Sequence, residues 1–409
     1  MHGQPPLWNV IGAILLKLFG SWQMQALQLL HVGMGAAIAG LSVRIVAHST
    51  GSRRLSIAVG LVIALHPALF LYEAYALYTL FAAFLLTSAA YTLTAAPSES
   101  NAGRALPFVG CMTALVMTRG VFHVALLIPC IALAFTGAAR PRRRQLLVLG
   151  LLFALPLGWY TKNQVQHGFF GGSSWYGMGM WRTALFRQDT AILPPLLEAG
   201  VFEAVVLEEP FSPPSAYRGL GYDRSSSIAV LANNDQHNVN VPDISGAYRT
   251  SALGLMRRTP GRYVRNVVTA YGNFSAPSTD FAHLADNRER IGLHARIEQW
   301  SLGRPLLARI ERGLNGAYFG SLYFFLFPVV LMAWTAEIVR GIRREGWSSL
   351  SADASVLFMG GIIAYTILVS CAMELGENVR FKFMIEPLFL ILTATLSYRL
   401  LQRRRHLER

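Results

Sequence analysis

Apolar runs of membrane-crossing length, separated by short polar breaks, dominate the pattern of this chain. Residues 23–43 form the first such run, and it ends at Arg44. The apolar segment before it, residues 7–19, is shorter and carries Lys17. Further runs follow at 55–65, 70–93, 105–118, 121–136 and 146–160, then at 317–338, 354–373 and 384–401. A helix needs about 20 predominantly apolar residues to cross a hydrocarbon core. The runs are continuous rather than alternating, which excludes the strands of a transmembrane barrel. The expected fold is therefore an all-α polytopic membrane protein of about nine spans. His66-Pro67 closes the 55–65 run, and a proline there should break or bend the helix.

Between residues 161 and 315 the pattern turns hydrophilic for far longer than an ordinary connection. This divides the chain into an extracytoplasmic N-terminal segment 1–22, a transmembrane bundle 23–160, an extracytoplasmic loop or domain 161–315, and a second bundle 316–409 with a basic tail. Within the long region, residues 193–207 and 244–271 carry helical apolar spacing, the latter broken at Pro260. Arg257, Arg258, Arg262 and Arg265 would line the polar side of that second stretch, as on an amphipathic element packed on the membrane surface or on the transmembrane core. The run Asn233-Asn234-Asp235-Gln236-His237-Asn238 reads as a solvated loop rather than a metal site.

Composition sharpens the picture. The 409 residues are 53% hydrophobic and only 14% charged, with a formal net charge of +14. The basic residues cluster at the ends of spans, so the charge speaks for membrane orientation and anionic headgroups, not for nucleic acid. Placing Arg53-Arg54, Arg104, Arg140–Arg144, Arg340–Arg344 and the C-terminal arginines in the cytoplasm satisfies every short basic loop. The opposite side then holds the N-terminal segment, residues 66–72, Arg119, the long loop and the charges at 374–382. Cys111, Cys130 and Cys371 all fall inside expected spans, which leaves no disulfide framework or zinc spacing. No cleavable signal peptide is expected, because the start lacks a basic region before its apolar run.

The densest chemistry lies between the last two runs, from Glu374 to Pro387. Charge at membrane depth is costly and marks a functional site by default. From Asn378 to Phe383 polar and apolar residues alternate, so an extended segment would send Asn378, Arg380 and Lys382 to one face. Arg380 offers a planar fork for phosphate oxygens and Lys382 a mobile point charge. The plainer alternative is juxtamembrane charge that anchors a helix end. Glu377 and Glu374 would orient the cations.

The other outer segments are also polar. Tyr72 and Glu73 share a turn with His66, and Arg119 ends a span beside Gly120. Glu73 is either a functional carboxylate or the structural partner of an arginine such as Arg119, and Arg119 either faces a cavity or snorkels. The long loop opens with Lys162-Asn163, then His167-Gly168-Phe169-Phe170 and Ser173-Ser174-Trp175. Glycines there permit close backbone approach, and aromatics beside hydroxyls suit the faces and rim of a sugar. The alternative is a glycine-rich turn with interfacial aromatics. No phosphate-binding P-loop, HExxH or GxSxG motif occurs.

Four blocks in this order resemble the bacterial GT-C membrane glycosyltransferases, the group similar to protein O-mannosyltransferases and the lipid A aminoarabinose transferase. They are residues 2–9 (HGQPPLWN), residues 66–73 (HPALFLYE), Lys162-Asn163 with His167–Trp175, and residues 377–383 (ENVRFKF) leading into Glu386-Pro387. The resemblance spans nearly the whole chain, although each block is short. It implies a GT-C-like bundle of about nine spans with a large mixed extracytoplasmic loop, in a bacterial inner membrane. It also implies sugar transfer from a polyprenyl-phosphate donor to an extracytoplasmic glycan, lipid or protein. On that reading Arg380, Lys382, Arg119 and Lys162 hold the donor phosphate, while Glu377, Asn378, His167, Ser173, Ser174, Trp175 and Tyr72 orient the cations or the sugar. No cofactor is required by any spacing, although a divalent metal could assist. The family places an acidic residue upstream of the Pro-Pro-Leu block, after a first span. No carboxylate precedes Pro5-Pro6 here, so the expectation is a chain lacking that span and that acid, with Glu73 as the remaining acidic candidate. Two alternatives stay open: an O-antigen polymerase or ligase, and a non-catalytic paralogue that binds lipid-linked sugar. A transporter fits poorly, because no internal repeat is present.

Overall fold

A computed structural model describes residues 4–94, 101–136, 143–188, 190–223, 239–313, 318–349 and 353–408. The polar run at 233–238, the first three residues and Arg140 and Arg142 lie outside the described residues. Everything regular among the described residues is helical, apart from an isolated bridge between Asp223 and Val239. The described part of the long region expected to be mixed is thus helices and 3-10 turns beside that bridge.

The chain starts with a hairpin. Helix α1 (Leu7–Phe19) ends at Gly20, whose φ of 52° turns the chain into a short 3-10 segment before α2 (Gln23–Thr50). Trp8 of α1 stacks on His31 of α2 at 5.6 Å between ring centroids. In an unbroken helix those residues would stand about 35 Å apart. Helix α1 therefore folds back along α2, and Leu7 N–H donates to Met117 C=O. Helix α3 (Arg53–Ala64) is capped by Ser52, and α4 (Pro67–Glu73) by His66. The two meet at 50°, as the proline predicts: Pro67 can begin a helix but cannot continue one. Helices α5 (Thr79–Thr94), α6 (Asn101–Val116), α7 (Leu127–Ala134) and α8 (Arg143–His167) complete the first half.

The described part of the long polar stretch holds α9 (Tyr176–Leu185), α10 (Leu193–Glu198), α11 (Val241–Arg258), α12 (Pro260–Phe274), α13 (Ala285–Arg290), α14 (Gly292–Ser301) and α15 (Arg304–Gly313). Helix α9 lies along α11 with Gly177 against the Ser245 carbonyl, closer than any side chain permits. Around them Trp181, Phe202, Tyr217, Tyr248 and Leu255 form a second hydrophobic core, separate from the main one. The expected break at Pro260 is present as the junction of α11 and α12.

Helices α16 (Tyr323–Glu345), α17 (Ala354–Met373) and α18 (Asn378–Leu407) close the fold. Helix α18 is its axis: it packs on α2, α5, α12, α16 and α17, and its residues 379–389 are all buried. Among the described residues, four helical stretches are long and apolar enough to cross a membrane (Leu7–Thr50, Arg143–His167, Tyr323–Ser348 and Ala354–Met373), or five with the bent α3–α4 pair. Thr79–Thr94, Ala105–Val116 and Val124–Ala134 are shorter apolar helices, so the nine expected spans are not all present as single long helices among those residues.

One expectation fails at the most charged point of the chain. Residues 378–383 are not extended; they are the first turns of α18. Asn378 fixes the reversal: its Oδ1 accepts from Gly376 N–H, and its Nδ2 donates to Ser370 and Glu374 carbonyls. Gly376 supplies the positive φ of 120° that the turn requires. Buried backbone needs its hydrogen bonds at once, so a helix follows. At 3.6 residues per turn, Arg380 and Lys382 leave the helix on nearly opposite sides.

Candidate functional site

The charges on α18 join two separate clusters. The first gathers at the turn between α17 and α18. Arg119, in the turn after α6, reaches Glu377 at 3.4 Å, and Arg380 pairs with the same carboxylate from one helical turn away. Both guanidinium groups lie over aromatic faces: Arg119 over Tyr78 and Phe381, Arg380 over Tyr78 and Phe281. Glu374 sits beside them, 3.7 Å from Arg182 of α9. Gly179 makes that contact possible, since a Cβ there would stand 2.6 Å from Glu374 Oε2.

Electrostatics show a cluster short of negative charge. Burial, and then the like charge of Arg380, lower the Arg119 guanidinium to about 9. Burial foremost, with the nearby Glu377 charge, raises the Glu374 carboxyl to about 7, so it is only partly ionised at neutral pH. Arg119 and the buried Arg380 therefore share the Glu377 carboxylate. The Nε of Arg380 and the hydroxyls of Tyr78 and Tyr72 are buried with no hydrogen-bond partner among the described residues. Such groups cost about 1–3 kcal/mol each when left unpaired. The arrangement holds donor capacity that no described residue fills.

The second cluster is deeper. Lys382 has no exposed surface; its Nζ stands 3.4 Å from Glu386 Oε1 and 4.4 Å from the Tyr323 ring. Glu386 Oε2 accepts from Ser278 Oγ at 2.6 Å. Glu298 of α14 accepts from Ser278 N–H, and burial raises its carboxyl above the ordinary value. His66 Nε2 lies 3.8 Å from Glu298 and 3.6 Å from Glu386. These three residues have a donor set and spacing that could hold a metal ion. The tautomer argues otherwise: His66 Nδ1 accepts the Ala68 N–H as the cap of α4, so Nε2 carries the proton and points it at the carboxylates. With the Lys382 ammonium already on Glu386, the residues form a proton-donating ion-pair network rather than a metal cage.

The remaining expected residues are spread over several places. Tyr72 lies between the clusters, its ring stacked on Phe383 at 4.0 Å. Glu73, at the end of α4, abuts Gly35 and makes no ion pair among the described residues; Arg119 is with Glu377 instead. Ser173 approaches Gly120, which brings the glycine-rich loop beside the Arg119 turn. Lys162 lies over Trp159 at 4.0 Å and bonds Asn163. His167 and Ser174 line a cleft of about 340 Å³ in the second-core region, with Tyr176, Glu203, Tyr222 and Asp243. Trp175 meets Phe211 edge-on at 6.2 Å.

Sequence reasoning missed Tyr78, Ser278, Glu298 and Tyr323. Glu298 had a readable signal: it is the acidic residue opposite the apolar positions 293, 297 and 300 of one helix. The others have none.

No family model and no curated protein matches this chain. Among solved structures it is similar to ArnT from Cupriavidus metallidurans, in the apo state and bound to undecaprenyl phosphate. Each is 15% identical with a TM-score of 0.32, over 91% and 92% of this chain and 67% of the ArnT chain. A likeness of that size carries no argument about the chemistry of this chain, which rests on its own residues.

Proposed function

We propose that this protein is a membrane glycosyltransferase that takes a sugar from a polyprenyl-phosphate donor and passes it to an acceptor hydroxyl outside the cytoplasm. One observation carries the reading: the buried Arg380 and the partly buried Arg119 share the Glu377 carboxylate, beside Arg380 Nε and Tyr78 hydroxyl donors that have no partner among the described residues. Phosphate oxygens satisfy a planar fork and a phenol together. The cluster sits where α17 gives way to α18, at the end of a span, which favours a phosphate carried on a lipid. The acceptor oxygen attacks the anomeric carbon while the bond to the phosphate oxygen breaks. The electron pair leaves with the phosphate, whose growing charge Arg119 and Arg380 meet in a low-dielectric setting. The hydroxyl proton passes to a carboxylate; Glu73, with no cationic partner among the described residues, is the candidate. Lys382, with no exposed surface, supports the site from beneath and does not touch the phosphate.

The test uses full-length protein in nanodiscs, polyprenyl-phosphate binding by native mass spectrometry, and transfer of labelled sugar from polyprenyl-phosphate donors with and without chelator. Arg380→Ala and Arg119→Ala should each lower turnover by at least about 100-fold, since one charge-stabilising donor contributes about 2.7–4 kcal/mol. Wild-type turnover in both variants overturns the assignment. Transfer only from an oligosaccharide pyrophosphate moves the protein to the polymerase or ligase class. Binding without transfer leaves a non-catalytic lipid-sugar binder.

A further inference from the structure

Helices α14 and α15 carry an apolar stripe that the fold leaves uncovered. Leu293, Ile297 and Trp300 recur at i, i+4 and i+7 on α14, and both Leu293 and Trp300 are 74% exposed. Leu306 and Ile310 continue the stripe on α15. Exposed arginines flank it: Arg290, Arg296, Arg309 and Arg312. The opposite face of α14 is buried through Ala295 and Glu298, so the helix has two distinct sides. A contiguous apolar face of this kind, rimmed by charge, marks a binding surface.

The surroundings say what covers it. Leu302, between the two helices, accepts the Leu322 N–H at the entry to α16, and Gly303 lets the Leu322 side chain close on the turn. Leu322 begins a row of exposed apolar residues, with Phe325, Val329 and Met332, along a helix of membrane-crossing length. At its other end α14 touches α4, where His294 meets the exposed Phe70 ring. The stripe is thus continuous with apolar surface on α16 and α4.

We infer that α14 and α15 lie in the interface of the bilayer, with the Leu293–Ile297–Trp300 face among the upper acyl chains and the flanking arginines on anionic lipid phosphates. The pattern is that of an interfacial amphipathic helix: apolar on one side, arginine-rich at the edge, with a tryptophan at headgroup depth. It has a consequence inside the protein. Because α14 also carries Glu298 to His66 and Ser278, the membrane surface holds one wall of the buried Lys382–Glu386 cluster in place.

The experiment places single cysteines, on a background without Cys111, Cys130 and Cys371, at Leu293→Cys, Ile297→Cys and Trp300→Cys, with exposed Ser215→Cys as the control. Each is labelled with an environment-sensitive fluorophore in full-length protein, in phosphatidylcholine vesicles with or without phosphatidylglycerol. The α14 labels should be quenched by shallow doxyl lipids and several-fold less by aqueous iodide than the Ser215 label. Phosphatidylglycerol should deepen the lipid quenching, and Arg296→Glu with Arg309→Glu should cancel that gain. Equal iodide access at residues 293, 300 and 215 overturns the inference. So does disulfide cross-linking between Trp300→Cys copies in place of lipid quenching, which would assign the stripe to a second copy of the chain.

Discussion

Replacing Lys382 by methionine isolates the deeper cluster. The ammonium has no exposed surface and stands 3.4 Å from Glu386 Oε1. At an effective dielectric constant near 20 that separation corresponds to about 5 kcal/mol of attraction. Methionine keeps most of the volume and removes all of the charge. Glu386 would then be buried with the Ser278 and Tyr323 hydroxyls and His66 as its remaining partners. Breaking a buried pair from one side costs about 3–5 kcal/mol, because a lone charge is left without water. Lys382→Met should therefore unfold far more readily than wild type. Lys382→Met with Glu386→Met should recover most of the loss, since an apolar replacement of both partners removes the stranded charge. A thiol-reactive dye reads this directly: Cys130 and Cys371 are buried and Cys111 is partly so, and all three are free. Binding of polyprenyl phosphate per folded molecule should stay close to wild type in both variants. Three results would each refute this role for the lysine: a Lys382→Met protein that unfolds like wild type, a double variant as unstable as the two single ones summed, or a folded Lys382→Met protein that has lost its phosphate affinity.

The Glu374 carboxyl, raised to about 7 from an ordinary 4.5, holds its proton more tightly folded than unfolded, so its contribution to stability is greatest below pH 4.5 and falls as pH rises to about 7. The difference corresponds to roughly 3 kcal/mol; Glu374→Gln should remove this slope from the dye-unfolding midpoint, and an unchanged slope would discard it. Gly177→Ala drives a Cβ into the Ser245 carbonyl oxygen, forcing α9 off α11 at a cost of about 1–3 kcal/mol. Hydrogen exchange should rise across the second core and not in α17 or α18; unchanged exchange around Trp181 and Tyr248 would show that the close approach carries no constraint.

How legible these features were in the sequence depended on range. Pro67 and Pro260 announced their breaks because a missing N–H and a fixed φ act locally. The long apolar runs announced α2, α8, α16 and α17 because hydrocarbon length is a one-dimensional constraint. The alternation at 378–383 misled, because a period of two is evidence for a strand only where partner strands exist to satisfy its backbone. Among the described residues the turn that Asn378 holds runs straight into a helix, and the helical period split Arg380 from Lys382. The joining of Arg119 to Glu377 bridges 258 positions, and no local pattern carries such a pairing. Tyr78 and Ser278 were invisible for the same reason: nothing in their neighbours distinguishes them until α5 and the turn before α13 are packed on α18.

One helix thus separates two tasks that the sequence ran together. Arg380 and Glu377 occupy the first turn of α18, where the chain has just left the reversal after α17. Lys382 and Glu386 lie one turn further in and on another face, pinned by His66 from α4 and approached by Glu298 from α14. Between them Tyr72 and Phe383 stack at 4.0 Å, locking α4 to α18 at the level where the clusters meet. Each cluster keeps its own carboxylate: Glu377 serves Arg119 and Arg380, while Glu386 serves Lys382. Loss of the lysine should therefore be felt in the packing of α18 and not in the partners of the two arginines.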